Sequence, residues 1–293
     1  MVDLPGYPAA SVTIERPCLY LVATPIGNLG DITLRALRIL EQVDAILAED
    51  TRTSVRLLDR YAINRPLEAL HQQNETLRAA QIVERLSEGP EALALISDAG
   101  TPLVSDPGYI IARACHSHGI PVRYVPGASA VLGALVVSGL PCDRFTFEGF
   151  LPPRQAARCT RLAELKDEPR TLICFEAPHR VRETLADMQD VLGSRREVCV
   201  VRELTKLYET TYRGSVAEVL DAVAADENAS RGEIVIVVGP DEHATHNAEV
   251  PTKLLKSLLT RVSQKDAVEA VTEATGYPRN LLYALALELK KRG

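Results

Sequence analysis

Three short segments rich in glycine, proline and small residues are the first places in this chain where chemistry could be done. They span residues 24–31 (TPIGNLGD), 98–108 (DAGTPLVSDPG) and 126–130 (PGASA), and each follows an apolar run. Glycine lets a backbone approach a ligand closely, and Asp98 offers a carboxylate to hydroxyl or amino groups. The segments contain neither the G-x-G-x-x-G fingerprint nor the phosphate loop GxxxxGK[ST]. We therefore expect them to bind a small ligand that is not a polyphosphate.

Acidic and basic side chains follow other apolar runs further along the chain. An acidic or basic side chain near a bound ligand can take up a proton during a reaction. The candidates for this role are Glu176, Glu203 and Lys206, and the sequence does not choose among them. Guanidinium and imidazole groups suit contacts with phosphates and bases, and the candidates are Arg52, Arg154, His179, Arg180 and Arg202.

These residues require a framework of alternating strands and helices. In the first half, apolar runs predict strands at 18–24, 45–49, 92–97 and 122–125, and helical periodicity predicts helices at 32–43, 51–61, 76–86, 109–118 and 131–140. Such alternation indicates an α/β fold with a mostly parallel sheet that is covered on both faces. Ligands of open parallel sheets bind at the carboxyl ends of the strands, where the three loops lie.

The second half predicts a further, smaller α/β unit and a helical end. Its expected strands are 145–150, 171–176, 198–202 and 233–238, and its expected helices are 155–166, 181–192 and 216–225. The last segment is helical except for a break at 276–278, which resembles a helix-turn-helix. The predicted organisation is an N-terminal extension (1–17), two α/β domains (18–140 and 141–240), a linker (241–251) and a helical segment (252–293).

Composition narrows the class of protein. With 293 residues, 46% hydrophobic and 25% charged, the chain has the make-up of a folded globular protein of roughly two domains. No apolar run approaches the ~18 residues of a membrane helix, and the start lacks a secretory signal, so a cytoplasmic protein is expected. The six cysteines form no CxxC pair, and His116 and His118 point to different faces of a predicted helix, so no metal site is expected.

The net charge of −6 conceals two basic segments. Residues 144–213 carry 13 Lys and Arg against 11 Asp and Glu, and residues 250–293 carry eight against four, a net charge of +4. An RNA partner needs only a basic stripe, not a basic protein. We therefore expect charge reversals at Arg154, Arg180 or Lys253 to weaken RNA binding more than equal changes at Arg35 or Arg85.

The ordered motifs of the whole chain resemble those of one protein family. They are LYLVATPIGNLGDITLRAL (19–37), AEDTRTS (48–54), ISDAGTPLVSDPG (96–108), VPGASA (125–130), FEGFLPP (147–153), FEAPHR (175–180), VRELTKLYET (201–210) and GEIVIVV (232–238). This set resembles the ribosomal RNA small subunit methyltransferase I family of the tetrapyrrole-methylase superfamily. The resemblance extends from about residue 18 to the end of the second half.

The resemblance implies a fold, a cofactor and a reaction. The fold is the two-domain tetrapyrrole-methylase fold (class III methyltransferase) with a small C-terminal helical segment, usually as a homodimer. The reaction is the transfer of a methyl group from S-adenosyl-L-methionine to the ribose 2′-hydroxyl of a cytidine in the decoding region of 16S rRNA, without a metal. The implied cofactor residues are Gly27, Asp98, Gly100, Thr101, Pro102, Ser129, Ala130, Phe175 and Gly232.

Two other functions stay open. A precorrin-type tetrapyrrole methyltransferase would share the cofactor loops but not the FEAPHR and VRELTK motifs. A non-catalytic nucleic-acid-binding regulator would use the helical tail but leaves the three glycine-rich loops unexplained. The tail itself is either an accessory RNA contact or a helical pair that only packs or supports a dimer.

Overall fold

The computed structural model describes residues 12–241, 249–275 and 277–291. These residues form two compact units, of which the first contains both β-sheets and comprises the chain up to residue 163 and residues 171–239. The second unit comprises residues 164–170 and the chain from residue 240. Most of the predicted extension, most of the predicted linker and Gly276 in the predicted helix break lie outside the described residues.

The first sheet is fully parallel, which confirms the predicted arrangement. Its strand order is β3-β2-β4-β1-β5, with β1 Cys18–Val22, β2 Ala45–Ala48, β3 Leu67–Ala69, β4 Ala92–Ile96 and β5 Val122–Val125. Every residue of β2 and β4 is buried, as expected for parallel strands with both faces covered. The strand β3 was not predicted because it has only three residues and lies at the sheet edge.

Helices cover both faces of this sheet. They are α1 Leu34–Gln42, α2 Thr51–Arg60, α3 Glu75–Glu88 and α4 Tyr109–Ser117. Successive side chains of a strand point to opposite faces. Accordingly, Tyr20 and Val22 pack in one apolar cluster with residues of α1, while Leu19 packs in another with residues of α3 and α4. The carboxyl ends of β1, β4 and β5 are left accessible to a ligand.

The second sheet is mixed. Its strand order is β6-β7-β10-β8-β9, with β6 Phe145–Phe150, β7 Thr171–Glu176, β8 Glu197–Arg202, β9 Thr210–Ser215 and β10 Ile234–Val238. Only the β6–β7 pair is parallel. The strand β9 was missed because its sequence TTYRGS is polar and pairs along one edge only.

Four helices accompany the second sheet: α5 Ala130–Ser138, α6 Gln155–Glu164, α7 Val181–Leu192 and α8 Val216–Ala225. Helix α5 packs against β7, β8 and β10 although it precedes the predicted domain boundary at residue 140. It begins at Ser129, whose side chain accepts a hydrogen bond from the backbone N–H of Leu132. The glycine-rich loop at residues 126–130 therefore leads directly into a helix that packs on the second sheet. The division into two α/β domains stays a prediction.

In its described part, the second unit contains three helices, α9 Glu249–Leu259, α10 Gln264–Thr275 and α11 Arg279–Lys291. They enclose a small core of their own, formed by Leu255, Ala267, Val268, Val271, Leu282 and Ala286. This core explains the helical apolar stripes seen in the sequence. In the described part of the chain, no helix combines the length and the apolar character required to cross a membrane.

Candidate active site

The loops that follow β1 and β4 are joined by backbone hydrogen bonds. The N–H of Thr24 donates to the carbonyl of Gly100 at 2.9 Å, and the N–H of Gly100 donates to the carbonyl of Thr24 at 3.1 Å. The hydroxyl of Ser97 also donates to the carbonyl of Gly100, at 2.9 Å. These bonds fix the first two glycine-rich loops as one platform beside the start of α5.

A cavity of about 420 Å³, the first cavity, lies between this platform and the second sheet. Its volume is within the usual range for small-molecule sites. The first sheet contributes residues of the loops after β1, β4 and β5, and the second contributes the ends of β6 and β7 and the start of β10. Six predicted cofactor residues line it: Gly100, Thr101, Ser129, Ala130, Phe175 and Gly232.

The other predicted cofactor residues lie elsewhere. Gly27 and Asp98 line a neighbouring cavity of about 350 Å³, the second cavity. The two cavities share Ile26, Ala99 and Glu233 in their walls. Pro102 is buried and lines neither cavity.

One wall of the first cavity is aromatic. The ring of Phe175 contacts the rings of Phe147 and Phe150 edge to face, at centroid distances of 4.9 and 5.4 Å. Phe150 and Phe175 both border the cavity. Edge-to-face packing holds the rings in place, and it gives the cavity an apolar surface for a flat ring system.

A network of three charged residues lies beside the second cavity, and two of them, Lys206 and Glu233, line it. The ammonium group of Lys206 lies 2.7 Å from Glu203 and 3.3 Å from Glu233. Burial disfavours the charge of Lys206, but the two carboxylates outweigh it and raise the pKa of the ammonium. The same Lys206 hydrogen bond and a backbone N–H of Glu233 outweigh burial at Glu203 and lower the pKa of its carboxyl. To accept a proton, Lys206 would need a lowered pKa, but its pKa is raised.

Two predicted glycines make room for this network. A Cβ on Gly27, whose φ is +152°, would lie 2.4 Å from the Cγ of Lys206. A Cβ on Gly232, whose φ is +80°, would lie 2.4 Å from the carboxyl carbon of Glu203. Real Cβ atoms do not approach so closely, so the absence of a side chain at both positions lets the ion pair form.

The third candidate for proton transfer, Glu176, is held by three hydrogen bonds. Its carboxylate lies 2.6 Å from a guanidinium nitrogen of Arg180 and accepts from the hydroxyl of Thr184 at 2.6 Å. It also accepts from the backbone N–H of Ala177 at 2.7 Å. Glu176 and Ala177 border the first cavity, so this buried carboxylate fixes the shape of the cavity wall.

The carboxyl group best suited to take up a proton, that of Asp106, was not among the predicted site residues. Burial and the negative charges of Glu49 and Asp98 raise the pKa of Asp106 to about 6, against a hydrogen bond with Ser97 that lowers it. Burial and the charge of Asp98 likewise raise the pKa of Glu49. Asp106 borders the first cavity. The sequence signal was available, because Asp106 belongs to the second glycine-rich loop.

The predicted RNA contacts separate into exposed and internal residues. Arg52, Arg154 and His179 are exposed, although Arg52 is paired with Asp50 at 2.7 Å. Arg202 is buried and donates to the carbonyl of Tyr208 and the hydroxyl of Thr210 at 3.1 and 3.0 Å. Arg180 is largely covered by its pairing with Glu176. None of these five lines either cavity.

Within the described residues, no group of three or more His, Cys, Asp or Glu side chains is arranged to hold a metal ion. The features that the two cavities offer are glycine-rich backbone, an aromatic wall, the carboxyl groups of Asp98 and Asp106 with that of Glu49 nearby, and the ammonium group of Lys206.

This fold and site define a class of protein. Over residues 18–220 the chain matches the family described as Tetrapyrrole (Corrin/Porphyrin) Methylases, and over residues 245–290 it matches the RsmI C-terminal HTH domain. The structure of diphthine synthase has a TM-score of 0.59 at 12% identity and covers 76% of this chain and 89% of its own. The structure of uroporphyrin-III C-methyl transferase from Thermus thermophilus complexed with S-adenyl homocysteine has a TM-score of 0.50 at 18% identity. The match covers 76% of this chain and 96% of that protein. The first unit thus has the tetrapyrrole-methylase fold.

Sequence relatives define the family within this class. A ribosomal RNA small subunit methyltransferase I from Pseudomonas aeruginosa is 48% identical over 274 residues, which cover 92% of this chain and 96% of that protein. The Escherichia coli O157:H7 protein of the same name is 45% identical over 273 residues, which cover 92% of this chain and 94% of that protein. This chain belongs to the ribosomal RNA small subunit methyltransferase I family.

Proposed function

We propose that this protein transfers a methyl group from S-adenosylmethionine to the ribose 2′-hydroxyl of a cytidine in the decoding region of 16S rRNA. The observation that carries the proposal is the convergence of six predicted cofactor residues, from both sheets, on one cavity. Family membership supports the ribosomal RNA substrate, because the relatives bear that name. The exposed side chains of Arg52, Arg154 and His179 support an RNA partner.

The first cavity fits S-adenosylmethionine in its chemistry. Phe150 and Phe175 offer an apolar surface for an adenine ring. The residues that line the cavity include neither Lys nor Arg, but they include the carboxylates of Asp106 and Glu233. Negative groups and a lack of cations suit a ligand that carries a sulfonium and an ammonium group and no phosphate.

The bound cofactor would supply an electrophilic methyl group, so that a carbon–oxygen bond forms, the carbon–sulfur bond breaks and the hydroxyl proton passes to a base. The protein must hold the 2′-oxygen in line with the methyl carbon and accept the proton. Glu176 and Arg180 keep the wall of the first cavity in position, and the ion pair with Glu203 holds Lys206 at the wall of the second cavity.

We assign the proton acceptor to Asp106 in place of the three residues predicted. Glu176 is saturated with donors, Glu203 has a lowered pKa, and Lys206 is held protonated. Asp106 borders the first cavity and has a pKa raised to about 6. A base whose pKa lies close to the working pH is ionised at neutrality yet still holds a proton well, which general base catalysis requires.

The C-terminal helices, within a segment of net charge +4, are proposed as an accessory RNA contact. A homodimer and a cytoplasmic location follow from the family resemblance and from the expected ribosomal substrate.

Acceptor competition tests the proposed function. Radiolabelled S-adenosylmethionine is incubated with the purified protein and either 30S subunits from cells that lack this methylation or uroporphyrinogen III. We expect label in the RNA of the 30S subunits and none in the tetrapyrrole. Label in the tetrapyrrole alone would favour a precorrin-type methyltransferase, and RNA binding without methyl transfer to any ribosomal particle would favour a non-catalytic regulator.

A further inference from the structure

The second cavity adjoins the first and is lined largely by other residues. It lies under the loop after β1 and against one face of α2, and Ser97, Asp98, Lys206 and Glu233 complete its wall. Because it shares Ile26, Ala99 and Glu233 with the first cavity, a molecule in one would meet a molecule in the other there. A methyltransferase needs this arrangement, with the acceptor entering from the opposite side to the methyl donor.

Ser54 lines this cavity and carries a buried hydroxyl without a partner among the described residues. Ser54 is 3% exposed, and its Oγ has no hydrogen-bond partner among the described residues. Its burial follows from its place in α2, where Ser54 and Leu58 are the residues turned toward the sheet. Buried polar groups are normally satisfied, so an unpartnered hydroxyl at a cavity wall points to a ligand that supplies the partner.

The second cavity also differs from the first in charge. Arg56 is exposed at its wall and has no ion pair among the described residues, and Lys206 adds a second cation. None of the described residues that line the first cavity is a Lys or an Arg. Cations suit phosphate oxygens, whereas the hydroxyl of Ser54 and the carboxylate of Asp98 suit the hydroxyl groups of a ribose.

We propose that the second cavity is the acceptor site and holds the ribose and one flanking phosphate of the target nucleotide. In this site Ser54 bonds the sugar, Arg56 contacts the phosphate, and the 2′-oxygen faces the first cavity past Ala99. A cavity of about 350 Å³ admits a nucleotide but not a duplex, so the target must be turned out of its helix. This inference rests on the proposed function.

Kinetics of three variants test the acceptor site. Ser54→Ala removes the hydroxyl, Arg56→Gln removes the cation, and Arg60→Gln is the control because Arg60 is exposed on the same helix and lines neither cavity. The measurements are the KM for hypomethylated 30S subunits and the Kd for S-adenosylmethionine by calorimetry. We expect the KM to rise about tenfold for Arg56→Gln and about fivefold for Ser54→Ala, with Kd and the control unchanged. The salt dependence of binding should also lose about one phosphate contact in Arg56→Gln.

The outcomes separate this inference from the proposed function. If the wild-type protein transfers no methyl group to 30S subunits, the proposed function fails, and the acceptor site fails with it. If the wild type is active but Ser54→Ala and Arg56→Gln weaken cofactor binding and leave the KM unchanged, the second cavity holds part of the cofactor. If both variants behave like Arg60→Gln, the cavity has no part in acceptor binding. Thermal melting confirms that each variant is folded before the kinetics are compared.

Discussion

Replacing Asp106 by asparagine should make the protein more stable and less active at the same time. Burial and the charges of Glu49 and Asp98 raise the pKa of this carboxyl from 3.8 to about 6. A displacement of that size corresponds to roughly 3 kcal/mol between the two protonation states. Because the folded pKa is raised, the folded state loses this stability as the pH climbs from below 4 to above 6.

Asparagine has the same shape and no charge, so Asp106→Asn should recover part of this free energy at pH 8. A recovery of half of it raises the Tm by roughly 3–6 °C in a unit of this size. At pH 4 the wild-type carboxyl is protonated in the folded state, so the variant should gain nothing there. The control is Asp59→Asn, because Asp59 is exposed on α2 and lines neither cavity.

Activity completes the test of Asp106. The wild-type rate of methyl transfer should rise with pH through about 6 and then level off, since a proton acceptor works only when ionised. Asp106→Asn should lose about 100-fold or more in rate and lose the inflection near pH 6. A variant that melts lower than the wild type at pH 8, or that keeps full activity, would refute the reasoning.

Three further changes have definite expected outcomes. Asp98→Ala should leave the Kd for S-adenosylmethionine unchanged in calorimetry and raise the KM for 30S subunits, because Asp98 lines the second cavity and not the first; a loss of cofactor binding would place Asp98 in the cofactor site instead. Gly27→Ala should lower the Tm and impair methyl transfer, because the added Cβ would lie 2.4 Å from Lys206; a variant with wild-type melting and kinetics would show that Lys206 moves aside freely. Arg154→Glu should weaken binding to 30S subunits in filter assays at low salt, and less so at high salt, while Arg113→Glu on the exposed face of α4 should not. Equal effects of the two reversals would remove Arg154 from the RNA surface.

The framework could be predicted because its signals are local. Apolar runs and helical stripes gave the inner strands and the helices around them to within one to three residues at most ends. The edge strands β3 and β9 were not predicted, because an edge strand needs neither length nor a continuous apolar run. The antiparallel pairing in the second sheet was not predicted, because strand direction depends on contacts between segments far apart in the sequence.

The site could be predicted only in part, for a similar reason. Glycine-rich loops after strands indicated where a ligand would bind, and six of the nine residues derived from them and from the resemblance do line one cavity. The choice of a proton acceptor depends on burial and on neighbouring charges, which the sequence does not show. Lys206 illustrates this, since two carboxylates hold it protonated and one of them, Glu233, lies 27 positions away in the chain. The unpartnered hydroxyl of Ser54 likewise became visible only in the folded chain.

The most direct test of the central claim is to map the methyl group on the product. Hypomethylated 30S subunits are incubated with the protein and S-adenosylmethionine, and the 16S rRNA is then digested to nucleosides and fragments for mass spectrometry. We expect one new methyl group, on the ribose 2′-oxygen of a cytidine in the decoding region. With Asp106→Asn, little or none of this product should form in the same time. A methyl group on a base, on another nucleoside, or outside the decoding region would contradict the proposed function.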